Sequence, residues 1–388
     1  MNAPLKIAVI AGETSGDQLG GWLMEALRAK RSDIQFVGLG GPMMAAQGLT
    51  SLFPIREIAL IGIAEILPHI FNIRRRIRET VEMIEREKPD LVVTIDVPGF
   101  VLRVLKMLHA RGIVRPKLVH YVAPTVWAYR PERAKIVAER YDHLLCLLPF
   151  EPPYFTAENL PTSFIGHEIA WWWKSRGDSN SFYKLFQLDS TAPLLAVFPG
   201  SRKGEIDRLW PSFRAAIETL RVNIPNLQVA IQVPEVLLPR MQAETKNWSV
   251  APLLISNADH KKDLFAASTA ALAKSGTIGL ECALARLPSI IAYKANALSA
   301  FLLRRMIKVK YVNLANILAD KMVIPELIQE NCTAEKMVEA LQPLLTDETA
   351  RNAQRVELTR IAEQLGTGDA QSPSEKAADI LLGLVTQK

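Results

Sequence analysis

Apolar residues fall in short unbroken runs along this chain, each closed by a polar turn and followed by residues with helical spacing. KIAVIAG (6–12) leads through GETSGDQLG into GWLMEALRAKR, and IQFVGLGG again precedes a helix. DLVVTIDVPGF (90–100) leads into VLRVLKMLHARG, KLVHYVAP (117–124) into PERAKIVAERY, and HLLCLLPFE (143–151) ends the series. Strands apolar at every position are buried on both faces, so their alternation with amphipathic helices predicts a doubly wound parallel α/β sheet. After a less regular stretch at 167–192 the pattern restarts with LLAVFPGSR, LQVAIQVP (227–234), VAPLLIS (250–256), AALAKSG (270–276) and PSIIAYK (288–294). Two α/β domains in tandem are expected, over 1–168 and 169–365. In SPSEKAADILLGL, Ser372 can cap, Pro373 can take the first helical position and Glu375 can close a capping box. A final helix at about 366–388 is therefore expected, joining the first domain.

The length of 388 residues exceeds what one core usually serves, and 49% hydrophobic with 22% charged residues is globular composition. A net charge of +6 means that some face prefers anions. Nucleic acid is the least suited of these, because lysines and arginines are spread and no reader motif is present. Cys146, Cys282 and Cys332 lie far apart, without metal-ligand spacing, and their odd number argues against a disulfide framework; a reducing cytoplasm fits. MNAPLKIAVIAGE enters a strand within a few residues, which leaves no room for a signal peptide.

Open parallel sheets bind ligands beyond the carboxyl ends of their strands, and those ends are polar here. AGETSGD offers Glu13, Ser15 and Asp17 at the entry to a helix, either as an N-capping turn or as a site for sugar hydroxyls; it is neither a P-loop nor a dinucleotide fingerprint. Asp96 follows a buried run, where partial desolvation suits a general base, or else it caps the next helix. HYVAPTVWAYR brings His120, Trp127 and Tyr129 close together in the chain, for a sugar or acyl chain or for core packing. In PGSRKGEI, Ser201 and Arg202 make either an exposed turn or an anion site; in SGTIGLE, Ser275, Gly276 and Thr277 open a helix whose positive end can take a diphosphate. Glu281, about one turn on, can accept hydrogen bonds from ribose hydroxyls. Two such turns in one domain favour phosphate.

IALIGIAEILPHIFNIRRRIR (58–78) is the segment least like a core helix. Its apolar part, with Ile66, Leu67, Ile70 and Phe71, is shorter than the ~20 residues that span a bilayer and runs into Arg74, Arg75, Arg76 and Arg78. Such a helix can lie in a membrane surface with its arginines on acidic head groups. LSAFLLRRMIKVK (298–310) repeats the theme, and both can equally be packed helices with solvated charges. Three successive tryptophans, Trp171 to Trp173, cannot all face one core, so some are exposed or at an interface.

GETSGD, GGPMM, IDVPGF, HYVAPTVWA, PFE, FIGH, FPGSRKGEI, SGTIGLE and IPELIQ (324–329), in this order, resemble the lipid-A-disaccharide synthases. The resemblance implies a GT-B-type fold, two doubly wound Rossmann-like domains facing a central cleft. It implies an inverting glycosyltransferase that moves 2,3-diacylglucosamine from UDP-2,3-diacylglucosamine to the 6-hydroxyl of 2,3-diacylglucosamine 1-phosphate, giving the β-1,6 lipid A disaccharide and UDP. No cofactor or metal is implied. The family works as a peripheral protein on the acidic phospholipid surface of the cytoplasmic side of the inner membrane, and a homodimer is a possible assembly. Carried over residue by residue, Asp96 is the base and Arg202 stabilises departing UDP. Ser201, Ser275, Gly276, Thr277, Glu281, Asn316 and Gln329 hold the donor, while Glu13, Ser15, Asp17, His120, Trp127 and His167 serve the acceptor side.

The chain departs from the family pattern at Glu168, where Gly-His-Pro is usual, at Val101, where PGFN is usual, at Tyr129 in place of tryptophan, and in WWWKSR (171–176). These departures bear on acyl-chain and acceptor preference. Two other classes fit the residues alone: another GT-B enzyme using a UDP-sugar, such as a lipid-intermediate glycosyltransferase or an epimerase, and a non-catalytic protein of membrane surfaces.

Overall fold

The structure is a computed structural model that describes residues 4–58, 70–112, 116–256, 258–295 and 309–386. Ile66 and Leu67 lie outside the described residues, as does most of LSAFLLRRMIKVK. The chain divides into two compact units, Met1–Glu168 with Asp369–Lys388, and Ile169–Gly368.

In the first unit, strands β1 (Leu5–Ala11), β2 (Ile34–Leu39), β3 (Leu91–Ile95), β4 (Lys117–Tyr121), β5 (His143–Cys146) and β6 (Thr162–Phe164) form a sheet of order β2-β1-β3-β4-β5-β6. In the second, β7 (Leu194–Phe198), β8 (Gln228–Gln232), β9 (Leu253–Ile255), β10 (Ala270–Lys274), β11 (Ser289–Tyr293) and β12 (Glu326–Ile328) are ordered β12-β11-β10-β7-β8-β9. All described pairings are parallel, with Val9 opposite both Gly38 and Val93, and Ala196 opposite both Ala230 and Ala271. The unbroken apolar runs explain this: β3 and β7 are buried at every position, which only helices on both faces can achieve. In each sheet the chain reverses its direction of travel once, between β1 and β3 and between β7 and β10.

The helices that shape the sites in the first unit are α1 (Thr14–Lys30), α2 (Pro42–Ala46), α3 (Ile70–Glu87) and α4 (Pro98–Ala110). Ile73, Ile77, Val81 and Ile84 recur at helical spacing along α3 and are buried against the sheet with Val101, Val104 and Leu108 of α4. In the second unit the corresponding helices are α5 (Lys203–Asn223), α6 (Lys261–Ala267), α7 (Thr277–Ala285) and α8 (Glu348–Gln364). Ile206, Leu209, Phe213, Ile217 and Leu220 form the buried stripe of α5. Truncating a ring such as Phe213 to alanine would cost about 3–5 kcal/mol.

The last helix, α9 (Pro373–Thr386), belongs to the first unit and packs on α1, where Lys30 and Asp379 pair at 2.8 Å. Its start is a reciprocal capping box: Ser372 N–H donates to Glu375 Oε2 at 2.7 Å, and Glu375 N–H donates to Ser372 Oγ at 3.1 Å. Glu168, at the first crossing between units, accepts from the Ser374 hydroxyl at the foot of this helix. Burial raises the Glu168 pKa, partly offset by the Ser374 hydrogen bonds. Ser372→Ala is expected to lower stability by about 1 kcal/mol, read as a lower denaturant midpoint at unchanged slope.

Candidate active site

Beyond the ends of β7 and β10 lies a cavity of about 400 Å³, at the place where an open α/β sheet leaves a crevice. Ser201, Gly276, Thr277 and Glu281 line it, so the two turns singled out in the sequence do converge. Glu205, Lys261 and Lys274 line it as well, and the sequence analysis missed all three. Lys274 Nζ stands 3.0 Å from Glu205 and Lys261 Nζ 2.5 Å from Glu281, which is itself buried. Ser201 N–H also donates to Glu205. Burial pushes the Glu205 carboxyl up, but the hydrogen bond and charge of Lys274 outweigh it and the pKa ends lowered. The first turn of α7, which no side chain caps, completes the wall. Lysines, hydroxyls and a helix N-terminus in one crevice are the groups that favour an anion.

The other donor-side candidates are placed differently. Arg202 is outside the lining, with 78% of its side chain exposed and its guanidinium 3.9 Å from Glu205. Ser275 is half-buried and Gln329 begins a short 3-10 turn after β12. Asn316 is a correction: it is fully buried, its amide oxygen accepting from Val323 N–H and Ile324 N–H and its amide nitrogen donating to Ile324 O and Glu326, so it fixes the loop before β12.

In the first unit the corresponding crevice, beyond β1 and β3, holds a cavity of about 210 Å³ lined by Glu13, Ile58, Ile73, Val97, Pro98, Gly99, Phe100 and Arg103. Asp96 stands beside it, half-buried, with φ +54°, and Val97 follows at φ +42°. Consecutive left-handed residues, one of them β-branched, cost about 1–3 kcal/mol each and concentrate at functional sites. Asp96 does not cap the next helix, whose N-cap is Val97 without a side-chain bond; its carboxylate instead accepts the adjoining Val97 N–H at 2.8 Å. Gly12 permits the turn, since a Cβ there would meet the Val97 methyls at 2.8 and 2.9 Å. Burial, and then the charge of Asp96, raise the Glu13 pKa.

Ser15 is exposed on the first turn of α1. Asp17 and His120 are corrections. Asp17 is buried and accepts from Gly41, Met43 and Met44 N–H, anchoring the start of α2. His120 is buried, with Nδ1 2.7 Å from Thr94 Oγ1 and its ring stacked on Tyr141; burial lowers its pKa to about 4. Trp127 donates to the buried Glu151, whose pKa burial raises to about 7, and meets Phe150 edge-on. His167 is half-exposed at its surface, and burial of its ring lowers its pKa to about 4.

On α3, Phe71 is 79% exposed, and Arg74, Arg75 and Arg78 are exposed with it. Arg76 is the exception. It pairs with Glu57 at 2.6 Å and Glu79 at 2.5 Å and lies over the Phe53 ring, a structural contact rather than a free surface cation. Among the departures, Val101 is fully buried in α4, so that position serves the core and not a ligand. Arg130 and Arg133 lie over the Tyr129 ring.

The model of the family described as lipid-A-disaccharide synthetase matches residues 7–381. The chain belongs to that family. A lipid-A-disaccharide synthase of Rhodospirillum centenum is 45% identical over 386 residues, covering 99% of this chain and 96% of the relative. One of Gluconobacter oxydans is 40% identical over 381 residues, covering 98% and 91%. Among solved structures, UDP-GlcNAc 2-epimerase of Neisseria meningitidis bound to UDP-GlcNAc is similar at TM-score 0.58 and 11% identity, covering 99% of this chain and 100% of that one. MurG of Acinetobacter baumannii is similar at TM-score 0.59 and 14% identity, covering 98% and 100%. The fold of the lipid-A-disaccharide synthetase family member described here is the two-domain α/β GT-B fold. Among the described residues no helix is long and apolar enough to cross a membrane.

His120 yields a pH prediction. A histidine whose pKa falls from 6.5 to about 4 on folding contributes stability above pH 6.5 that is lost as the pH drops through about 4. The stability gap between wild type and His120→Gln is therefore expected to narrow by up to about 3 kcal/mol across that window, measured by urea unfolding; His167 is common to both proteins and cancels.

Proposed function

We propose that the crevice of the second unit receives the diphosphate of a UDP-sugar and that the strained turn at Asp96 activates the acceptor alcohol. The activity is that of the family, lipid A disaccharide synthesis by a glycosyltransferase, with UDP-2,3-diacylglucosamine as donor and 2,3-diacylglucosamine 1-phosphate as acceptor. The observation that carries this reading is the convergence of Ser201, Gly276, Thr277, Lys261 and Lys274 on one cavity, two of whose cations are held by carboxylates and poised for a stronger anion.

The acceptor 6-hydroxyl attacks the anomeric carbon of the donor as Asp96 takes its proton. The new oxygen–carbon bond forms on the face opposite the leaving group, which inverts the centre. The bond to the β-phosphate breaks with its electron pair, and UDP departs with charge that Arg202, at the mouth of the anion-binding turn, meets as it develops. The Glu13 carboxylate is placed to accept from a hydroxyl of the acceptor sugar, and the apolar wall of Ile58, Ile73, Val97 and Phe100 suits an acyl chain.

Phe71 with Arg74, Arg75 and Arg78 supports peripheral attachment to an acidic membrane surface, the source of both amphiphilic substrates. Attachment to the cytoplasmic side of the inner membrane is part of the same reading.

Purified protein incubated with both diacylated glucosamines is expected to release UDP and form the disaccharide. Asp96→Asn should lower kcat by about 10² to 10⁴, and Arg202→Ala should lower it comparably, with vesicle binding intact; near-normal turnover in either variant would refute the assignment. Lys274→Ala is expected to raise KM for the donor about tenfold, the loss of one charge-assisted hydrogen bond, as read from initial rates. Serine at Ile66, Leu67, Ile70 and Phe71 should weaken co-sedimentation with acidic vesicles; unchanged sedimentation would assign the segment to packing.

A further inference from the structure

WWWKSR (171–176) docks its loop on α6. A Cβ on Gly177 would fall 2.2 Å from the Lys262 backbone, and Lys262 Nζ donates to Trp172 O at 2.5 Å and Ser175 Oγ at 2.6 Å while lying 4.1 Å over the Trp172 ring. Trp173 turns inward onto Phe265, while Trp172 stays 42% exposed. Docking of this loop encloses a second cavity of about 510 Å³, at the end of α7 remote from the nucleotide crevice.

The wall of this cavity carries donors almost alone. Arg176, Lys262, Arg286 and Arg355 all line it, and no carboxylate does. Trp173, 4% exposed, also lines it, and its indole N–H has no acceptor. Among the described residues neither the Arg176 nor the Arg286 guanidinium has a hydrogen-bond or ion-pair partner. Burial, and then the like charge of Arg351, lower the Arg355 pKa, partly offset by the charge of Glu348. The acids nearest in sequence are committed elsewhere: Asp263 accepts Asp178 N–H at 2.7 Å, and Asp178 accepts from Asn180, Ser181 N–H and Ser181 Oγ. The carbonyl end of α7 accounts for one cation, Arg286 at its C-cap, and Glu348 in part for Arg355, which leaves the charge of Arg176 unexplained.

From the cavity's four cations, unpartnered indole N–H and lack of acids, we propose that it binds a phosphorylated small ligand with at least two negative charges. Its volume lies within the range of ligand sites and exceeds what one phosphate fills. Pyrophosphate-like groups of soluble metabolites and the phosphate of a lipid head group share this chemistry. The site is distinct from the nucleotide crevice, with which it shares only the helices α6 and α7: Lys261 lines one cavity and Lys262 the other.

The test is calorimetric titration of the full chain with pyrophosphate at saturating UDP, so that the nucleotide crevice does not contribute. One pyrophosphate site is expected, weakened about tenfold or more by Arg176→Ala and likewise by Arg286→Ala, with UDP affinity unchanged as the control for folding. In parallel, sedimentation with phosphatidic acid vesicles is compared with phosphatidylcholine vesicles. Binding to phosphatidic acid that depends on Arg176, without a pyrophosphate site, assigns the phosphate to a lipid head group; a pyrophosphate site assigns it to a soluble ligand. If neither pyrophosphate nor phosphatidic acid binding responds to the two substitutions, the proposal is overturned.

Discussion

A parallel sheet whose helical connections pass over both faces must somewhere send two neighbouring connections in opposite directions, and at that point no helix covers the strand ends. In the first unit this happens between β1 and β3, in the second between β7 and β10. The reaction proposed for the molecule is built on these two gaps. Each is walled by strand ends that carry the polar residues interrupting otherwise apolar runs, and each holds a cavity, one mostly apolar with Glu13 and Arg103 and one lined with hydroxyls, two lysines and the two carboxylates that hold them. The division of labour proposed for the substrates is a division of electrostatics. Carboxylates face an alcohol that must lose a proton, and cations with a helix N-terminus face a leaving group that gains charge.

The lysines of the second crevice are positioned before any ligand arrives. Lys274 is held by Glu205 and Lys261 by Glu281, in pairs whose members are largely withdrawn from water. A partly buried cation without a partner would be costly, and the carboxylates hold these ammonium groups in place. A diphosphate offers each lysine a more highly charged acceptor and can take over the bond without the side chain having to be ordered at that moment. Preorganisation of this kind is what lets a charge array act on a transition state at little further cost in ordering.

The strands other than β6 and β12, their parallel pairing, the capping box at Ser372 and the convergence of the two turns were legible because each depends on residues adjacent in sequence or on a short period, whereas β6 and β12, three residues each and only half-buried, carry no such run. The failures share a cause. Asp17, His120 and Asn316 sit at strand ends or helix starts like true ligands, but their partners are backbone groups or side chains 24 to 27 positions away for Asp17 and 26 for His120, or in a loop whose path the sequence does not specify for Asn316. Polar character shows that a group needs a partner and not which partner it has. Lys261 and Lys274 were passed over for the opposite reason, since a lysine at a helix start or strand end looks solvated until a remote carboxylate is brought to it. Arg76 was readable in part: it lies three residues after the buried Ile73 and three before Glu79, on the flank of the buried stripe, whereas its partner Glu57 belongs to another segment.

Two left-handed residues in succession would ordinarily relax, and the surroundings of Asp96 and Val97 show why they do not. Asp96 N–H donates to Tyr121 O of β4, Val97 O accepts from Phe100 and Val101 as the first turn of α4, and the Val97 side chain closes against Gly12. Relaxing the turn would break the strand pairing, the helix start and the Val97 contact together, so the surroundings over-determine it. The consequence is that the carboxylate at the end of β3 is prevented from becoming the helix cap that an aspartate in this position would otherwise be. It stands at the crevice beside Glu13, whose pKa is raised by burial and then by the charge of Asp96. A carboxylate kept from local neutralisation by the backbone itself is a base available to a substrate, and the strain measures what the fold gives up to hold it there.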